Sequence, residues 1–143
     1  MSFFQNTCKP KGFGGKIMVN MMNIGHASMA EWGFTHIEIQ DDAACLDIGC
    51  GGGANISKLL EKARQGKVIG IDYSEVSVAK SKSRNKAAIE RNRCQILQAD
   101  VMKLPFDDET LDVVTAFETI YFWPDITDAF KQIYKVLKMA EFL

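Results

Sequence analysis

The sequence predicts an α/β fold, an open parallel sheet in the order 3-2-1-4 with flanking helices. Three observations carry this. From about residue 43, short apolar runs alternate with stretches of helical periodicity, which calls for parallel strands joined by right-handed crossovers. The first run, Cys45-Leu46-Asp47-Ile48, passes straight into Gly49-Cys50-Gly51-Gly52-Gly53, a glycine turn of the kind that opens a helix. Two acids, Asp72 and Asp100, then fall where the second and third strands should end.

Each element has its own grounds. Residues 1–15 are rich in Gly and Lys and read as a loose leader. Residues 16–30 carry Ile17, Met18, Met21, Met22 and Met29, a pattern that suits a covering helix, and Trp32-Gly33-Phe34 should end it. The expected division is therefore a leader with covering helix over 1–42 and a cofactor-binding portion over 43–143. Ala43–Ile48 is the first strand. Ile56, Leu59, Leu60 and Ala63 lie at helical spacing after the glycines, and Gly66 stops that helix. Lys67–Ile71 is the second strand, and Ser74 is an N-cap for a helix reaching about Glu90. Arg93–Gln98 is the third strand and Leu111–Phe117 the fourth. Pro124 at a first helical position, with Asp125 and Asp128 near the positive dipole end, starts the last helix. Its expected apolar face is Ile126, Ala129, Phe130, Ile133 and Leu137. The first and fourth strands are apolar on consecutive residues, as burial on both faces of a sheet requires.

Composition narrows the function classes. The chain has 143 residues, 47% hydrophobic and 24% charged, with a net charge of -1. That balance gives no footprint for nucleic acid or an acidic membrane. No apolar run approaches the roughly 20 residues that span a bilayer, and no secretory signal is evident. Cys8, Cys45, Cys50 and Cys94 form no C-x-x-C pair, so free thiols in a reducing cytoplasm are expected. His26 and His36 lack metal-ligand spacing. The basic residues Lys80, Lys82, Arg84, Lys86, Arg91 and Arg93 read as a solvated helix face.

The chemistry gathers at the carboxyl ends of the strands, where open α/β sheets bind ligands. Gly49, Gly51 and Gly53 let the backbone turn tightly and approach a ligand, and the helix behind them offers unpaired N–H groups. This alone leaves the cofactor open. Gly49-x-Gly51-x-x-Ala54 also fits the dinucleotide fingerprint, and Asp72 sits where a ribose-binding acid would. Asp47 separates the readings. A carboxylate at the mouth of the first strand repels a pyrophosphate, by about 1 kcal/mol even in bulk water, and suits a ligand with an ammonium group and no phosphate. Asp72 could equally cap the next helix, and Asp100 could be an ordinary turn acid.

Taken in order, Asp47-Ile48-Gly49-Cys50-Gly51-Gly52-Gly53, Gly70-Ile71-Asp72-Tyr73-Ser74, Gln98-Ala99-Asp100 and Leu104-Pro105-Phe106 resemble the class I S-adenosylmethionine-dependent methyltransferases with their Rossmann-like sheet. The likeness is strongest to the small-molecule group and runs from about Ala43 to Lys138. It implies that Gly49, Cys50, Gly51 and Gly53 line the methionine part of S-adenosylmethionine, with Asp47 shaping that pocket. It implies Asp72 on the ribose hydroxyls, Tyr73 and Val101 against the adenine, and Asp100 on its amino group. Glu118, after the fourth strand, could favour the sulfonium, and the aromatics of 121–123 could wall the site or cover the sheet. Asn23, His26, Glu31 and Trp32 lie on a segment that in similar enzymes covers the cofactor, and His26 is the nearby candidate proton acceptor.

One departure stands out. The resembled fold continues from the last helix through a Pro-Gly-Gly-type turn into a fifth strand, whereas this chain reads Val136-Leu137-Lys138-Met139-Ala140-Glu141-Phe142-Leu143. The expectation is a sheet lacking its last strands, with the fourth strand at an apolar edge and self-association through 111–117. The partner implied is a small-molecule methyl acceptor. The alternatives are a nicotinamide-dependent oxidoreductase, which leaves Asp47 and Asp100 unexplained, and a non-catalytic binding module.

Overall fold

The computed structural model describes residues 29–139. Strands β1 (Ala44–Ile48), β2 (Lys67–Asp72), β3 (Cys94–Gln98) and β4 (Val113–Thr115) form one sheet in the order β3-β2-β1-β4, and every neighbouring pair is parallel. The order is the expected one. Helices α1 (Ala54–Lys62), α2 (Glu75–Arg84), α3 (Lys86–Glu90) and α4 (Ile126–Val136) complete the framework, with a short 3-10 turn at Ile120–Phe122. Among the described residues, no helix is long and apolar enough to cross a membrane.

Two apolar clusters sandwich the sheet. Ile56 and Leu59 of α1 and Val78 of α2 pack with Cys45, Val68 and Ile96 on one face, joined by Ala30 and Phe34. On the other face, Ala129, Ile133 and Val136 of α4 meet Leu46, Ile48 and Ile71. Alternate residues of β1 thus enter opposite clusters, which accounts for its consecutive apolar residues. Leu46, Ile56, Leu59 and Ile71 are fully buried, each contributing about 1.5–3 kcal/mol of transfer free energy.

Four element boundaries differ from expectation, each for a local reason. The chain is helical through residues 29–34, so Trp32-Gly33-Phe34 continues a helix where an end was expected. Ala30 and Phe34, four apart, both point into the core, and Phe34 meets Phe117 at 5.1 Å between ring centres. The terminating groups lie just beyond: the hydroxyl of Thr35 donates to Trp32 O, and His36 N donates to Gly33 O. The rest of the expected leader and covering helix, including Asn23 and His26, lies outside the described residues.

The single helix expected from Ser74 to Glu90 is broken at Asn85, whose φ of -107° and ψ of 24° leave the helical region. Ser74 does cap α2, accepting from Ser77 N. The last helix begins at Ile126 with Asp125 as N-cap, its carboxylate accepting from Asp128 N at 3.0 Å. Pro124 therefore precedes the cap. The helix buries Ala129, Ile133 and Val136, whereas Ile126 and Phe130 are about half exposed.

The fourth strand spans three residues where seven were expected. Leu111 pairs with Leu137 and not with β1. Ala44 N donates to the carboxylate of Asp112 at 2.8 Å, so a side chain takes up one of the inter-strand bonds there. Beyond Thr115, Glu118 turns into the left-handed region with φ 53°, which takes the chain off the sheet and over its carboxyl end. At the other end of β4, Leu111 N donates to Val136 O and Lys138 N to Leu111 O. Residues 136–138 therefore run beside the start of β4 and cover that part of the edge. Residues 141–143, expected to begin another strand, lie outside the described residues.

Candidate functional site

At the carboxyl ends of β1, β2 and β3 lies a cavity of about 300 Å³, at the lower end of the roughly 300–1,000 Å³ typical of small-molecule sites. Gly49, Asp72, Tyr73, Asp100 and Val101 line it, and so do Ile48, Ile71, Ala99, Thr119, Phe122, Trp123 and Pro124.

The glycine turn is held from below. Gly49 N and Cys50 N both donate to Ile71 O, at 2.8 and 3.0 Å, and Gly51 N donates to the Asp72 carboxylate at 2.9 Å. Gly49 has φ 72°, and a Cβ there would come within 2.9 Å of Thr119 Cβ, so only glycine lets Thr119 cross the turn so closely. At the far end Gly53 is the N-cap of α1 with φ 88° and, having no side chain, leaves the first turn of α1 without a side-chain cap. The positive end of a helix with uncapped N–H groups favours negative charge.

Asp72 joins the two sides of the cavity. One oxygen accepts from Gly51 N and the other from Ser74 N, both at 2.9 Å. An ionised carboxylate offers about four lone-pair sites, so each oxygen keeps capacity for a ligand. Burial pushes its pKa upward, and the backbone donors Ser74, Gly51 and Tyr73 oppose the rise. The helix cap expected as an alternative role for Asp72 is taken by Ser74; at that helix Asp72 accepts from the N–H of the cap residue itself. Tyr73 is 56% exposed at the rim. Asp100 uses one oxygen to accept from Met102 N at 2.9 Å, closing the turn that brings the buried Val101 to the cavity wall.

Asp47 sits beneath the turn and not on the cavity surface. It is 1% exposed. Thr115 Oγ1 donates to Oδ1 at 2.8 Å, while Oδ2 has no hydrogen-bond partner among the described residues. Desolvation raises its pKa to about 7, the Thr115 bond opposes this, and Asp72 adds to it. Cys50 is also turned inward, its thiol directed at Ser81 Oγ at 3.7 Å, and burial pushes that thiol well above the ordinary range. Gly51, Gly53 and Glu118 do not line the cavity.

Several lining residues went unnoticed in the sequence. Ile48, Ile71 and Ala99 look like ordinary strand residues, and nothing in the sequence marks Thr119 as the residue opposite Gly49. The aromatic run did carry a signal: Phe122 and Trp123 wall the cavity, and Trp123 also packs edge-on against Phe130 at 5.9 Å.

A parallel sheet wound in this order, with a glycine turn and acids at the ends of its first three strands, is the nucleotide-cofactor class of α/β protein. The family follows from comparison. A family model described as a methyltransferase domain matches residues 46–140, and the chain belongs to that family, with the fold of class I S-adenosylmethionine-dependent methyltransferases. Among curated relatives, cycloartenol-C-24-methyltransferase 1 of Oryza sativa subsp. japonica is 37% identical over 96 residues, covering 67% of this chain and 28% of the relative. Sterol 4-C-methyltransferase strm-1 of Caenorhabditis elegans is 30% identical over 129 residues, covering 90% and 37%. A putative S-adenosyl-L-methionine-dependent methyltransferase of known structure from Methanococcus maripaludis is 28% identical with a TM-score of 0.70, covering 86% of this chain and 59% of that one. The chain thus spans about a third of the length of those two curated relatives.

Proposed function

We propose that this chain binds S-adenosylmethionine in the cavity over β1, β2 and β3, and serves methyl transfer to a small-molecule acceptor. Asp72 is the observation that carries it. Its carboxylate lines a cavity of nucleoside-pocket size, is braced by Gly51 N and Ser74 N, and keeps lone pairs for two vicinal hydroxyls. When bound, the cofactor supplies an electrophilic methyl group. The protein's part is to hold donor and acceptor in line, which can supply on the order of 7–11 kcal/mol. In this reading Asp72 takes the ribose hydroxyls, Tyr73 and Val101 flank the adenine, and Asp100 accepts from its amino group. Gly49, Gly51 and Gly53 present backbone to the methionine portion, Asp47 supplies negative charge beneath it, and Glu118 adds more from the edge.

The names of the relatives, sterol and demethylmenaquinone methyltransferases, support a small, largely apolar acceptor. The near-neutral charge supports a reading without nucleic acid. Three buried free thiols, Cys45, Cys50 and Cys94, support a reducing compartment such as the cytoplasm. The division into a covering segment at 1–42 and a cofactor-binding portion from 43 is supported by the Phe34–Phe117 contact over the end of β4. Self-association through 111–117 belongs to the same proposal; a single monomeric species in sedimentation at micromolar concentration would remove it.

Calorimetric titration with S-adenosylhomocysteine tests the reading. Saturable binding is expected in the wild type, weakened in the exposed-residue variant Tyr73→Ala and lost in Asp72→Ala. A folded wild type that gives no heat with S-adenosylhomocysteine but binds NADH would overturn it.

A further inference from the structure

A buried amide from the opposite side of the glycine turn has no part in the reading above. Asn85 is 5% exposed and lies at the break between α2 and α3, where its own N donates to Ser81 O and its carbonyl accepts from Ile89 N. Its side chain bridges the last turn of α2 and the glycine turn. One amide hydrogen goes to Gly53 O and the other to Ser81 O, each at 3.1 Å, and Oδ1 accepts from Ser57 Oγ at 2.8 Å. Both donors and the acceptor are thereby used, and this pattern fits only one orientation of the amide. The Ser57 hydroxyl also lies 3.2 Å from Gly53 O. Having a single proton, it serves the shorter link to Asn85.

The turn is seated directly on this group. A Cβ at Gly53 would lie 2.6 Å from Asn85 Nδ2 and 2.5 Å from Ser81 Oγ. Gly53 O is also the first acceptor of α1, receiving Ser57 N at 3.1 Å. Whatever fixes that carbonyl therefore fixes the left-handed residue of the turn and the start of α1 together. We infer that Asn85, oriented by Ser57, is a positioning residue that holds the Gly53 end of the glycine turn in its ligand-ready geometry, complementing the hold of Asp72 on the Gly51 end. The inference rests on the proposed cofactor reading for its ligand, but its claim about the turn does not. Asp at 85 has no donor for either carbonyl, and Leu has neither donor nor acceptor, so neither substitute can hold the turn.

Asn85→Ala and the milder Ser57→Ala are compared with wild type by amide hydrogen exchange without ligand, and by titration with S-adenosylhomocysteine and with methylthioadenosine, which lacks the amino-acid tail. Exchange across residues 51–57 is expected to accelerate in both variants while β2 and β3 stay protected. Affinity for S-adenosylhomocysteine should fall about tenfold in Asn85→Ala and less in Ser57→Ala, as loss of one or two buried hydrogen bonds predicts. Affinity for methylthioadenosine should change little, because Asp72, Tyr73 and Asp100 are held by other strands. Unchanged exchange in both variants overturns the inference, as does an equal loss for both ligands, which a general loosening of the fold would produce. Should Asn85→Ala not fold, Ser57→Ala decides alone. Failure of wild type to bind either ligand would count against the cofactor reading, and the exchange result would still decide the role of Asn85.

Discussion

The stability of Asp47→Asn relative to wild type should rise as the pH is taken from 5 to 8. Asp47 is buried with one oxygen unpartnered and a pKa raised from 3.8 to about 7. Between those values the native state holds a proton that the unfolded chain releases, so stability falls as pH rises through the window and levels off above 7. At about 1.4 kcal/mol per tenfold change in proton affinity, the full gap is worth a few kcal/mol, of which roughly 2–3 kcal/mol falls between pH 5 and pH 8. Burial raises Asp72 as well, so the informative quantity is the difference between variant and wild type. Asn keeps an oxygen for the Thr115 hydroxyl and places an NH₂ where Oδ2 lies. That buried donor costs about 1–3 kcal/mol if it stays unpaired, a cost that does not depend on pH. Urea unfolding at pH 5 and pH 8 isolates the titrating part. The stability of Asp47→Asn relative to wild type should rise by roughly 2–3 kcal/mol between the two conditions, whatever its absolute sign at either. A gap that stays constant within about 0.5 kcal/mol would show that Asp47 titrates as an ordinary surface acid, and the argument from its burial would fail.

Two further substitutions test how the site is supported. Gly49→Ala forces a Cβ against Thr119 in a left-handed backbone, so a loss beyond the roughly 1–2 kcal/mol of the backbone term is expected; adding Thr119→Ser should restore part of it, and strict additivity in urea unfolding would refute the clash. Arg93 donates to Leu60 O at 3.1 Å, to Gly66 O at 3.3 Å and to Ala63 O, closing the end of α1 from β3. Arg93→Met should cost about 1.5–3 kcal/mol and Arg93→Lys should not restore it, since a point donor cannot span three carbonyls; equal unfolding midpoints for wild type and Arg93→Met would show that water serves those carbonyls as well.

The sheet order and the acids were legible because they rest on regularities of the chain. The run Cys45–Ile48 has no polar face except Asp47, which marks a strand covered on both sides, and right-handed crossovers then leave one order for four strands. What was not legible depended on groups far apart in sequence. Asn85 sits in a helical pattern, and its neighbours give no hint that its amide meets Gly53, 32 residues earlier in the chain. Phe117 reads as the end of a strand until Phe34 is found beside it. Asp47 looked like a residue of the pocket wall, because its place before the glycines fixes its neighbourhood but not its depth. Thr119 belongs to the segment after the fourth strand that was expected to face the site, but its closeness to Gly49 was not legible, since that is set by a missing Cβ on another strand's turn.

If the amino-acid end of the cofactor lies against the glycine turn, its ammonium group comes to rest over Asp47, whose Oδ2 is the one buried side-chain nitrogen or oxygen left without a hydrogen bond among the described residues. A nearby cation favours the ionised carboxylate and pulls its pKa down, so binding below pH 7 must expel the proton that Asp47 holds. Below pH 7 the free protein holds a proton there, and S-adenosylhomocysteine should release most of it. Titrations in two buffers of different ionisation enthalpy report that proton directly as a difference in apparent heat. Affinity should strengthen by nearly tenfold per pH unit below 7 and be flat above it, because the proton no longer has to be removed. Asp47→Asn should abolish both the buffer dependence and the slope, while binding more weakly at pH 8 than the wild type does. Identical heats in the two buffers for the wild type would mean the ammonium is held elsewhere, and the unpaired carboxylate would then be a cost to the fold that the ligand does nothing to relieve.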